Sequence, residues 1–267
     1  LKSFRKTGRG RTKIPLRECG HLKKYPLPKG DFSSLFDPLI QPGSAQHHPG
    51  KIERDKHMAE KSPVFEKNHK YYLEQLAETD ISSQEEKLGI QAEGDKALIR
   101  LFSKTHRVSQ EGIFGPSGNK VGYTVSIILC KYLLHSQKTP TSNAEFQTSS
   151  DWAAYRDFRD AAPLITYVGS IEKKLAETFS GKLGDLENAC QRLRGTVPDT
   201  ELSYDLVRKF EALPKLPVLL LFNDADEEFP AQCSVLFEKS AEIYLDMECV
   251  AMVAGLLSGY LCQADEK

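Results

Sequence analysis

The sequence has few of the features that announce a function. No apolar run approaches the roughly 18–20 residues that a bilayer requires; the longest, Val125–Cys130 and Pro217–Phe222, are the size of core segments. The basic residues near the start are followed by no apolar stretch, so they do not read as a secretory signal, and a cytoplasmic location is expected. No Cys-x-x-Cys occurs among the six cysteines, whose closest pair, Cys249 and Cys262, lies 13 residues apart. Zinc-finger spacing is therefore absent. Cys130, Cys190, Cys249 and Cys262 sit beside apolar residues and are expected to pack as small hydrophobes. Past residue 57 the histidines are His69, His106 and His135, each isolated in sequence. There is no Gly-x-Gly-x-x-Gly and no Walker loop, so phosphates have no evident cradle. No catalytic residue is assigned.

What is present begins with a charge asymmetry. The net charge of −1 over 267 residues is the sum of two unlike parts. Residues 1–57 hold 13 Lys+Arg against 5 Asp+Glu, a net +8; the remainder holds 36 − 13 = 23 against 37 − 5 = 32, a net −9. The first part is rich in Pro and Gly and lacks helical or strand periodicity. It has no methionine before Met58. We expect 1–57 to be a disordered basic leader, translated from a start placed too far upstream, and 58–267 to be a single α+β domain. The other reading of 1–57 is a nucleic-acid-binding arm, but its aromatics are scattered rather than set among basic residues as a stacking platform requires.

Periodicity beyond Met58 gives the elements. Pro63–Thr79 is an expected helix with Phe65, Tyr72 and Leu76 on one stripe. A short helix follows, with Ser82–Glu85 or Ser83–Glu86 as its capping box and Gly89 at its end. Ile90–Ala92, Ala97–Phe102, Arg107–Ser109 and Gly112–Phe114 read as strands. Thr124–Leu134 is a helix, 136–150 a polar loop, and Trp152–Phe158 a strand. Asp160 is expected to cap a helix carrying the stripe Leu164, Val168, Ile171 and Leu175. A shorter helix with Leu183, Leu186, Cys190 and Leu193 ends at Gly195. Ser203–Phe210 alternates; Val218–Phe222 is a continuous apolar run expected to be a central strand covered on both faces, paired with Cys233–Phe237. Asp246–Leu261 is the last helix, where Asp246 and Glu248 complement the dipole. Strands and helices come in clusters, which predicts an α+β fold: a mainly antiparallel or mixed sheet packed with several amphipathic helices around one core.

Three stretches resemble a known family: Asp157-Phe158-Arg159-Asp160-Ala161-Ala162-Pro163-Leu164; Leu213-Pro214-Lys215-Leu216-Pro217 running on through Val218–Ala231; and Tyr244-Leu245-Asp246-Met247-Glu248. Together they are similar to the bacterial and archaeal domain of unknown function 3786, common in anaerobes, over roughly Met58 to Leu261. The family has no assigned activity. Some of its members are joined to a four-cysteine iron–sulfur module of the corrinoid-protein type. This chain has no such cluster, so the resemblance implies an accessory or ligand- and partner-binding domain, with any iron–sulfur or corrinoid role supplied by a partner protein. The alternative is a metal-assisted enzyme. Its candidate ligands are Asp224, Asp226 and Glu228 in the acidic turn Asn223–Glu228, because closely spaced carboxylates suit a divalent cation such as Mg²⁺ or Ca²⁺. The turn is not an EF-hand loop, since Phe229 stands where the glycine is needed, and a solvated hairpin tip is the plainer reading.

Overall fold

Two four-stranded antiparallel sheets and the helices that cover them make up the computed structural model, which describes residues 63–135, 151–199 and 202–263. The expected leader, Met58 and the polar loop at 136–150 lie outside the described residues. Helix α1 is Pro63–Ala77; a 3₁₀ turn, Ser82–Gln84, leads into the single-turn α2, Glu85–Leu88. The first sheet follows as β1 (Gln91–Glu93), β2 (Lys96–Leu101), β3 (Lys104–Ser109) and β4 (Gly112–Phe114), paired in chain order. Helix α3 is Tyr123–His135. After β5 (Trp152–Ala154) come two 3₁₀ turns, α4 (Ile165–Phe179) and α5 (Leu183–Arg192). The second sheet takes β6 (Leu206–Leu213), β7 (Leu216–Asn223) and β8 (Gln232–Glu238) in the order β5-β8-β7-β6; α6 (Ala241–Tyr244) and α7 (Met247–Leu261) close the described chain.

The α+β class and the antiparallel pairing follow the sequence patterns closely. In β2, Ala97, Ile99 and Leu101 are buried while Leu98 and Arg100 are half-exposed, the alternation of a strand with one core face. In the second sheet, Phe210, Val218, Phe237 and Ala153 stand in one row across all four strands, and each is buried. Leu219 and Leu221 point the other way and are buried too, apart from the main core. The Lys209 ammonium lies 5.9 Å from the centre of the Trp152 ring. The sheets join where the Phe102 N–H donates to the Ala212 carbonyl at 2.8 Å and Arg100 pairs with Glu211. One core cluster runs from Leu76 to Leu261, with α7 buried along almost its whole length.

Several local expectations are corrected. Neither Ser82 nor Ser83 forms a capping box; Asp80 accepts the Ser83 N–H instead, at 3.3 Å. Gly89 does end α2 in the left-handed conformation, φ 64°. Asp160 does not cap α4. A 3₁₀ turn, Ala162–Leu164, intervenes, and the residue before it, Ala161, makes no side-chain cap bond. The strand expected at Trp152–Phe158 stops at Ala154. A 3₁₀ turn, Tyr155–Asp157, follows at once, and beyond the last pair the Val235 N–H of β8 goes to the Glu172 carboxylate at 2.9 Å. Glu85 acts alike at the outer edge of β1, accepting the Ala92 N–H at 2.6 Å. Two glutamates thus block strand edges that would otherwise offer free backbone donors. After α5 the left-handed residue is Arg194, φ 60°, not Gly195. Gly195 is needed for room: a Cβ there would lie 2.7 Å from the Phe210 ring.

Candidate functional site

Two places concentrate chemistry-bearing side chains, one inside the fold and one on its surface. The inner one is centred on Lys131 of α3. Its Nζ lies 2.8 Å from Asp246 Oδ2 and 3.4 Å from Glu248 Oε2, with only 13% of the lysine side chain exposed. Asp246 Oδ1 accepts the Cys249 N–H at 2.9 Å, so the same carboxylate caps α7 and holds the lysine. Tyr72 of α1 and Tyr123 at the start of α3 lie within electrostatic reach of Lys131. Tyr155 donates to the Met247 carbonyl at 2.8 Å.

The electrostatics explain what this cluster can do. Burial works against the Lys131 ammonium, but Cys249, Asp246 and Glu248, in that order, act against burial and raise the lysine's pKa. Burial also pushes the Asp246 carboxyl upward. The Lys131 charge and the Cys249 amide reverse that and leave it below the ordinary carboxylate value. At Glu248 burial wins, and its pKa is raised. Burial drives the Cys249 thiol well up and the Tyr72 phenol up to about 12. A lysine held cationic is no nucleophile, and a neutral buried thiol is not reactive. The cluster ties α3 to the first turn of α7. In sequence, Asp246 and Glu248 were legible as helix-start acids; Lys131, an isolated cation 115 residues away from Asp246, carried no signal.

The histidines do not join it. Burial lowers the pKa of His69, assisted by Lys120, and of His106; His69 Nε2 and His106 Nδ1 have no hydrogen-bond partner. His135 Nε2 lies 3.1 Å from the Glu242 carbonyl oxygen. Cys130, Cys190 and Cys249 are fully buried, as their apolar neighbours implied, whereas Cys262 is half-exposed.

The surface place is the end of the second sheet where β6 begins and β7 finishes. Asp224 Oδ1 accepts the N–H of Gly181 at 2.7 Å and of Ala225 at 2.8 Å. The Asp224 N–H donates to Asp205 Oδ2 at 2.8 Å. Asp226 Oδ1 accepts two amides of its own turn, Glu228 at 2.8 Å and Phe229 at 2.7 Å, and these hold its carboxyl below the usual range. Glu228 is exposed. The three expected metal ligands therefore lie in one loop, but Asp224 and Asp226 are turned to different backbone amides and Glu228 is exposed. Among the described residues, no group of three His, Cys, Asp or Glu side chains is arranged to hold a metal ion. The same end exposes Val197 (71%), Leu202, Tyr204 and Phe229 (58%), four of the six large apolar side chains exposed among the described residues.

Architecture and site together define an α+β domain with an inner cluster of Lys131, Asp246 and Glu248 and with Tyr204 and Phe229 exposed at one end of the second sheet. The chain belongs to the family described as Domain of unknown function (DUF3786), which it matches over residues 80–260. No curated protein and no solved structure matches it. Among the described residues, no helix is long and apolar enough to cross a membrane.

Proposed function

We propose that this chain is a non-catalytic accessory domain that binds a partner protein in the iron–sulfur or corrinoid metabolism of anaerobes, working in the cytoplasm. The observation that carries the binding part is the exposure of Tyr204, just before β6, and of Phe229, in the β7–β8 turn, at the same end of the second sheet. Large apolar side chains exposed together mark interaction sites, and tyrosine and phenylalanine are favoured there. The metabolic setting is supported by the resemblance to proteins joined to corrinoid-type iron–sulfur modules. The test is calorimetric titration of the full chain with a purified corrinoid iron–sulfur protein. We expect saturable binding with a Kd of about 10 μM or tighter, in the range of transient interfaces. Absence of heat and of co-migration in gel filtration would remove that partner.

A metal-assisted enzyme is the second reading. In its favour, the outer oxygens of Asp224 and Asp226 and the Glu228 carboxylate make no hydrogen bond within the described fold. Melting in the presence of Mg²⁺, Ca²⁺ or Mn²⁺ tests it. The nucleic-acid reading rests on residues 1–57, outside the described residues; salt-dependent binding of DNA or RNA by the full chain tests that one.

A further inference from the structure

The geometry points to a redox-sensitive thiol site: Cys262, at the end of α7, is oxidised by a hydroperoxide and closes a reversible disulfide with Cys233 of β8. This role is independent of partner binding. Cys190, Cys233 and Cys262 are far apart in the chain, yet the fold brings together the elements that carry them. The Arg192 side chain, two residues after Cys190, donates to the Gln263 carbonyl, one residue after Cys262, at 3.3 Å. That bond ties the end of α5 to the end of α7. The Cys190 carbonyl and the Phe210 ring both crowd Gly195, at 3.0 and 2.7 Å from where its Cβ would stand. The end of α5 therefore borders the core face of the second sheet, on which Phe210 lies. Cys233 stands on the same face, in alternation with Val235 and Phe237, both fully buried. Cys190 belongs to the core cluster, and Cys233 and Cys262 pack against it. The Cys233 thiol is within electrostatic reach of both Cys190 and Cys262.

Among the described residues no group of three is arranged to hold a metal ion, so these thiols are not a ligand set. Their surroundings set the order of oxidation instead. Burial pushes Cys190 up to about 12 and pushes Cys233 up as well, which keeps both neutral and unfit to attack first. Cys190 is also sealed from solvent within α5, whereas Cys233 and Cys262 are half-buried. Cys262 is the C-cap of α7, and its N–H donates to the Ser258 carbonyl at 3.0 Å. Helix ends fray, which gives its side chain access to a small oxidant and freedom to turn toward Cys233. The Cys262 thiolate attacks one peroxide oxygen, the O–O bond breaks, and the departing hydroxide or alkoxide takes a proton; Cys262 is then a sulfenic acid. The Cys233 sulfur attacks the Cys262 sulfur. The S–S bond forms, the S–O bond breaks, and hydroxide leaves as water with the Cys233 proton. Two electrons have passed from the two sulfurs to the peroxide, and a dithiol reductant restores both thiols by exchange. Because Cys233 is held neutral, the second step is the slower one.

The test is disulfide mapping of the full chain. Reduced protein is treated with hydrogen peroxide at near-neutral pH, alkylated, digested without reductant and read by mass spectrometry. We expect the peptides of Cys233 and Cys262 to be joined, at least about tenfold over any other pairing, and dithiothreitol to release them. A disulfide needs Cα atoms about 4.4–6.8 Å apart, so few pairings are open to a folded chain. Cys130 and Cys249, fully buried, should stay reduced. Cys233→Ser should leave Cys262 as a sulfenic acid that dimedone traps. Cys262→Ser should cut oxidation of Cys233 at least about tenfold. Cys190→Ser should leave the Cys233–Cys262 disulfide in place. Circular dichroism melts establish that each variant is folded, and mapping of the unsubstituted chain needs no variant.

Absence of the joined peptide overturns the inference, as does a link from Cys262 to Cys190 or Cys19 in its place. A link between two chains, seen as a dimer in non-reducing electrophoresis, overturns it too. So does a Cys233–Cys262 link that forms only in urea, because the contact would then belong to the unfolded chain. Titration with the corrinoid iron–sulfur protein is done on the reduced chain, so partner binding and thiol oxidation are judged separately.

Discussion

At the start of α7, Asp246 and Glu248 face the Lys131 ammonium within the fold. At the tip between β7 and β8, Asp224 and Asp226 face backbone amides at the surface. Both are pairs of acids two residues apart, yet they solve opposite problems. In the first, two acids share one cation, and burial raises the pKa of Glu248 while the Lys131 charge works against that rise. In the second, water screens the repulsion and the carboxylates are free to shape the loop. What separates them is which long-range neighbour the fold supplies: a lysine from another helix in one case, the main chain of the same turn and of the α4–α5 junction in the other.

Substitutions can break or sharpen that contrast. The scale is set by Leu175, 1% exposed on the core stripe of α4. Leu175→Ala should lower stability by about 2–5 kcal/mol, read from the denaturant midpoint; a loss near zero would mean that the stripe is not core. Lys131→Met comes next. It leaves two carboxylates without their cation and should cost about 2–3 kcal/mol. That is the low side for a broken buried pair, because 40% of the Asp246 side chain is exposed. A neutral outcome would make the inner cluster as dispensable as the outer one. Asp246→Ala removes a helix cap and should cost about 1–2 kcal/mol.

A smaller effect appears in pH dependence. Because the folded pKa of Glu248 is raised above its ordinary 4.5, the native state binds more protons than the unfolded chain just above that pH. Its contribution to stability is fully present below pH 4.5 and is lost as pH rises through the folded value. Glu248→Gln should flatten that slope in urea titrations at successive pH values, and an unchanged slope would show that Glu248 titrates normally. The smallest effect belongs to the tip. Asp224→Asn with Asp226→Asn keeps the oxygen acceptors and should leave the melting temperature unchanged, with or without Mg²⁺, Ca²⁺ or Mn²⁺. A metal-specific rise in Tm that the double substitution abolishes would turn the tip into a metal site and erase the contrast.

The sequence signals that worked were local or periodic. The β7–β8 pairing was legible from the apolar run Val218–Phe222 and its neighbour Cys233–Phe237, and most of the core stripe of α4 from spacings of three and four; Val168, Ile171 and Leu175 are buried, whereas Leu164 falls in the 3₁₀ turn before α4 and is half-buried. Cap assignments fared worse because a serine, an aspartate and the next one along are chemically interchangeable at a helix start. Asp80 takes the Ser83 N–H, and a 3₁₀ turn stands between Asp160 and α4, whose start has no side-chain cap. The end of β5 was not legible: a 3₁₀ turn takes over at Tyr155, and the Val235 N–H of β8 goes to Glu172 of α4, 63 residues away.

By itself the sequence determined the class of fold, the strand and helix order, the family and the acidic character of the Asn223–Glu228 turn, because burial periodicity and turn chemistry act over a few residues. Only the tertiary structure decided which acids are inward and which outward, that Lys131 pairs with Asp246 and Glu248, and that Tyr204 and Phe229 come to the same end of one sheet. Those outcomes depend on contacts between residues far apart in the chain. Pairing, desolvation and exposure are properties of the folded surroundings, and the same Asp-x-Glu or Asp-x-Asp text is compatible with either surrounding.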